Sequence, residues 1–100
     1  MSKLTDLEIE RVAFLFEECS EVIKCAGKAL RFGKDAEYFK EESFEAEIAD
    51  VLYAVKLMAV NGDLDVAKIK EAYAKRVERM KGNVWLSKEQ IRAEGDTFEL

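Results

Sequence analysis

Four acidic residues carry the most chemical information in this 100-residue chain. Glu18 and Glu21 are three apart, and so are Glu47 and Asp50. On an α-helix that spacing puts both members of a pair on one face. Glu47 and Asp50 share their face with Ala54, Leu57 and Met58, so two carboxylates are set into an apolar surface. Glu18 and Glu21 have Phe14 and Cys25 on their side of the wheel, with Glu17 and Lys28 flanking it. Burying carboxylates without compensating charge is costly, so something positive must face them. Antiparallel packing of the two helices would gather all four at one spot, where a hard divalent cation neutralises them better than a side-chain ammonium can. All-oxygen ligation of this charge is the preference of Mg²⁺, with Mn²⁺ a second option. Ion pairs to Lys24 or Lys28, or a solvated face for Glu18 and Glu21, are the alternative reading of the same spacings.

What the chain lacks narrows the chemistry further. It contains no histidine, which removes Ser-His-Asp and Cys-His catalysis, HExxH zinc sites and bundles built on Glu-x-x-His. Cys19 and Cys25 are the only cysteines. Six apart on one helix and on different sides of it, they are read as small packed hydrophobes rather than a disulfide or a zinc site. The net charge of −5 argues against a nucleic-acid binder, which needs a basic face. No apolar run approaches the roughly 20 residues of a membrane span, and the first residues form no signal-peptide core, so a cytoplasmic protein is expected.

With no proline, five glycines and abundant Ala, Leu, Glu and Lys, the elements holding these residues should all be helical. Thr5-Asp6-Leu7-Glu8 is a capping box opening a helix near 5–32 that Gly33 closes. Its apolar stripe runs Val12, Phe16, Cys19, Ile23, Ala26, Leu30, widened by Leu15 and Val22. Residues 33–42 read as a loop. Ser43 caps a second helix reaching Asn61-Gly62, apolar almost all round from Ile48 to Val60, hence either central or shared with another subunit. Asp63 or Asp65 caps a third, with Val66, Ile69, Tyr73, Val77 and Met80 on one side. Its other face carries Lys68, Lys70, Lys75, Arg76, Arg79 and Lys81. Ser87-Lys88-Glu89-Gln90 opens a short helix that stops before Gly95, and a tail follows. The expected fold is all-α: one domain over 1–100, a small bundle of three to four helices, with a core at about 5–82 and the short helix and tail at 83–100.

Glu18-x-x-Glu21 followed by Glu47-x-x-Asp50, in the strings EECSEV, KALRFG and EIADVLYAVKLMA, resembles the signature of the all-α nucleoside triphosphate pyrophosphohydrolases, the MazG-like group. The resemblance covers about residues 12–82. It implies Mg²⁺-dependent hydrolysis of the α–β phosphoanhydride of a nucleotide, giving monophosphate and pyrophosphate. Glu18, Glu21, Glu47 and Asp50 are then the metal ligands, and Glu17 an outer ligand or a carboxylate that orients water. Lys24, Lys28 and Arg31 lie along the first helix as candidate phosphate contacts, and Arg76 and Arg79 resemble the group's basic residues on the third. Phe14 and Trp85 are candidate base contacts, with Phe32, Tyr38, Phe39 and Tyr53 as further aromatics. The group's members are dimers or tetramers, so a bundle completed by homo-oligomerisation is expected. A phosphoribosyl-ATP pyrophosphatase, or a helical nucleotide-binding or interaction module with idle carboxylates, is the alternative.

Overall fold

A computed structural model describes residues 3–33 and 43–81. The described residues are helical with no strands: α1 spans Asp6–Phe32, α2 Phe44–Val60 and α3 Val66–Lys81. Residues 34–42 and 82–100, with Lys34, Tyr38, Phe39, Trp85 and the expected short helix, lie outside the described residues. The chain divides into two compact units, Met1–Asp63 with α1 and α2, and Leu64–Leu100 with α3. No helix among the described residues is long and apolar enough to cross a membrane.

The helix ends follow local chemistry. Thr5 and Glu8 form the capping box reciprocally: the Glu8 amide donates to Thr5 Oγ1 at 3.2 Å, and the Thr5 amide donates to Glu8 Oε1 at 2.8 Å. Gly33 ends α1 at φ 81°, a conformation that disfavours residues with a Cβ. Ser43 Oγ accepts from the Ala46 amide at 3.1 Å and opens α2. Of the two candidate caps for α3, Asp65 is the one used: its Oδ1 accepts from the amides of Ala67 and Lys68.

Asp63 is engaged elsewhere. The Arg11 guanidinium donates to both its carboxylate oxygens, with Nη2 to Oδ1 at 2.9 Å. This fork ties the start of α1 to the turn after α2, and both side chains are largely shielded from water. Arg11 meets Asp63, Phe14 meets Tyr53, and Glu18 meets Glu47 and Asp50. Rising numbers on α1 meet falling numbers on α2, so the two helices are antiparallel.

Their contact is made by small and slender groups. Cys25 on α1 and Ala54 and Met58 on α2 are the buried apolar residues, joined by the buried Glu47. The apolar stripe of α1 lies largely open: Phe16, Ile23 and Leu30 are 78%, 72% and 89% exposed. The helix turns the side carrying Phe14, Glu18 and Cys25 inward, where Phe14 meets Tyr53, Glu18 meets Glu47 and Asp50, and Cys25 is buried. Nor is α2 covered all round, since Ile48, Leu52, Tyr53 and Val60 are exposed. On α3, Val66, Ile69, Tyr73, Val77 and Met80 are all half-buried and the basic residues are exposed, as the wheel requires.

Two outcomes follow. Ala54, 1% exposed, has no room for a larger side chain, so Ala54→Leu should cost about 1–3 kcal/mol in urea unfolding. The Arg11 guanidinium holds the Asp63 carboxyl below its ordinary range, so this group's contribution is present above the unfolded pKa and is lost as pH falls through the folded one. Thermal melts of wild type and Asp63→Asn should therefore differ at pH 7, wild type melting higher, and converge as the pH is taken from 4 toward 2.

Candidate metal centre

Glu18 lies in the middle of α1, and Glu47 in the first turn of α2 with Asp50 one turn later. Each offers one carboxylate oxygen, and these three oxygens all lie within 4.8 Å of one another. Burial falls across the group: Glu47 is 6% exposed, Glu18 half-buried and Asp50 exposed. The cluster thus has a deep end at Glu47 and an open end toward water at Asp50. Glu47 tolerates its position partly because the first turn of a helix presents partial positive charge to an anion.

Three like charges at such distances repel unless a cation or protons intervene. The donor set is hard and all-oxygen, drawn from two helices whose register is held by the Arg11–Asp63 fork. It fits a divalent cation of the Mg²⁺ or Mn²⁺ type.

The fourth expected ligand is not part of this group. Glu21 is half-buried one turn beyond Glu18 and lies outside the set of mutually close oxygens. Glu17 is exposed, and its backbone carbonyl accepts a hydrogen bond from Ser20 Oγ. Phe14 stands one turn before Glu18 and pairs with Tyr53, one turn after Asp50, with ring centroids 6.1 Å apart and planes tilted by 49°. The acidic cluster is therefore bordered by an aromatic pair, of which Tyr53 is the exposed member. Both residues were legible as aromatics at helical spacing from the carboxylates; their pairing depends on the antiparallel register.

Two cations of α1 lie near an aromatic ring. Lys28 Nζ lies 5.8 Å and the Arg31 guanidinium 5.6 Å from the centre of the Phe32 ring, so both place charge against an aromatic ring at the C-terminal end of α1. Lys24 is exposed. Arg76 and Arg79 belong to the second unit, where both are exposed on α3. There the ion pairs Lys75–Glu71 and Lys81–Glu78 are solvent-exposed and contribute little.

No protein family, curated protein or solved structure matches this chain.

The cluster makes a direct prediction. Mn²⁺ titration followed by water-proton relaxation should give a saturable site in wild type. Glu47→Gln and Glu18→Gln should each weaken it by at least about tenfold, whereas Glu10→Gln, on the exposed side of α1, should leave it unchanged. Equal weakening by all three would mean that the ion sees only the net charge.

Proposed function

We propose that the chain is a divalent-cation-dependent nucleotide pyrophosphohydrolase, acting on the α–β phosphoanhydride of an NTP or dNTP to give monophosphate and pyrophosphate. The observation that carries this reading is the group of Glu18, Glu47 and Asp50 oxygens, within 4.8 Å of one another, with Glu47 buried at its base. The likeness of Glu18-x-x-Glu21 and Glu47-x-x-Asp50 to the MazG-like signature supports the same reading.

Glu18, Glu47 and Asp50 would hold the cation, with Glu21, one turn beyond Glu18 on α1, as the further ligand that the resemblance implies. Bound there, Mg²⁺ would polarise phosphate oxygens and acidify water. The chain's own residues supply the rest. With no histidine present, proton acceptance falls to a carboxylate, and Glu17 and Glu21 are the two nearest along α1 outside the close trio. Phe14 and Tyr53 offer a flat apolar border on which a base can stack. Lys24, Lys28 and Arg31 follow the carboxylates along α1 and reduce the repulsion between an acidic chain and an anionic phosphate tail.

The test is pyrophosphate release from a panel of canonical and modified NTPs and dNTPs, with phosphoribosyl-ATP included, in Mg²⁺ and then in excess chelator. The expected result is chelator-sensitive release of pyrophosphate with monophosphate. Glu47→Gln should lower kcat/KM by at least about 100-fold, while Tyr53→Ala raises KM more than it lowers kcat. Single-phosphate release would overturn the α–β assignment, and no release from any substrate would overturn the enzymatic reading.

A further inference from the structure

Asp63 does not hang freely beyond α2. The helix ends in a turn that folds the chain back on its last residues: the Gly62 amide donates to the Ala59 carbonyl at 3.1 Å, and the Asp63 amide to the Met58 carbonyl at 2.9 Å. This paired closure needs a left-handed residue at its corner, and Gly62 supplies it at φ 79°. Asn61 adds a side-chain clamp, its Nδ2 donating to the Leu57 carbonyl at 2.8 Å. The Asp63 backbone is therefore fixed to the end of α2.

Arg11 grips the Asp63 carboxylate from the other helix. Its Nη2 donates to Oδ1 at 2.9 Å and its Nε to Oδ2, a charge-assisted contact between side chains only 18% and 7% exposed. The planar fork fixes direction as well as distance. The other links across the hairpin are less directional. Phe14 and Tyr53 meet at tilted planes with centroids 6.1 Å apart, a geometry that tolerates sliding. Cys25 and Ala54 are too small to interlock, and the three carboxylates repel one another.

We propose that Arg11 and Asp63 are positioning residues for the acidic group, setting how well Glu18, Glu47 and Asp50 bind a divalent cation; this rests on the reading of those carboxylates as a cation site. Arg11, Phe14 and Glu18 follow one another by three and four along one face of α1. The register fixed at Arg11 is thus carried to Glu18, roughly 10 Å along the helix. A slip of one helical turn is about 5.4 Å. That exceeds the 4.8 Å within which the three oxygens lie of one another, so one turn of misregister takes Glu18 out of the group. The charges that bear on Arg11 are those of Asp63, Glu8 and Glu10, none of them a member of the acidic group. Its effect on the group is geometric, and the sign of that effect is opposite to that of its charge. A guanidinium roughly 10 Å from a cation site repels the cation, so charge alone predicts binding about twofold tighter when Arg11 is neutralised. Loss of register predicts weaker binding.

Mn²⁺ titration of the full chain by water-proton relaxation, at a temperature where circular dichroism shows each variant fully folded, separates the two. Arg11→Met should weaken the site by about tenfold. Arg11→Lys keeps the charge but not the fork and should fall between Arg11→Met and wild type. Gly62→Ala changes no charge. A Cβ there meets nothing within 4 Å, so the substitution acts only by straining the left-handed corner that holds Asp63, and it should weaken the site as well. Val77→Ala, on the half-buried stripe of α3, should lower Tm and leave the affinity unchanged. Wild-type or tighter affinity in Arg11→Met, or in Gly62→Ala where Arg11→Met does not fold, would overturn the proposal and leave the cation site standing. An equal loss in Val77→Ala would overturn it too, tracing the effect to general instability. A wild type with no saturable site would overturn the cation reading and this proposal with it.

Discussion

A carboxylate buried in the contact between two helices constrains everything around it. Glu47 cannot be solvated by bulk water where it sits, because it is buried on α2 along with Ala54 and Met58. The cost of such burial is met only by charge or hydrogen bonding brought to it. Part comes from the N-terminal turn of α2, whose amides point toward the carboxylate end of the helix. Across the contact α1 also brings another carboxylate, Glu18, to it, with Asp50 at the rim. An arrangement that concentrates negative charge at a buried anion favours positive charge beside it, so the packing of the hairpin and its electrostatics are set together.

The same contact explains why the helices approach as they do. Ala54 and Cys25 are small, so the backbones come near enough for carboxylates on opposite helices to face one another. Bulky residues there would have buried more apolar surface but held the oxygens apart. The larger hydrophobes are displaced to the outer face, where Phe16, Ile23 and Leu30 stand open. Register along the helices is a separate matter. Small residues slide readily past one another, and the Arg11–Asp63 fork supplies a polar stop at the open end of the hairpin.

Much of this was readable in the sequence, and the limits are instructive. Helix ends were legible because capping is local: Thr5 with Glu8, Gly33 and Ser43 act within a few residues of themselves. The Glu47–Asp50 face was legible because its neighbours Ala54 and Met58 lie at helical spacing. The exposure of the α1 stripe was not legible, because hydrophobic periodicity finds the most apolar stripe, and in this helix Phe16, Ile23 and Leu30 stand open. A helix with two partner surfaces has two stripes, and periodicity alone does not say which partner each serves. Asp63 and Asp65 were equivalent as caps on sequence alone. Only the antiparallel register brings Arg11 to Asp63 and leaves Asp65 to open α3.

The acidic group and the α1–α2 contact are linked by geometry. Oxygen-to-oxygen distances in the acidic group depend on the separation of α1 and α2, and little apolar surface is buried between those helices to hold it. A cation bridging Glu18 to Glu47 and Asp50 would draw the helices together on one side. Closer approach of the helices would bring Glu18 nearer to Glu47 and Asp50, so ion affinity and the stability of the hairpin should rise and fall together.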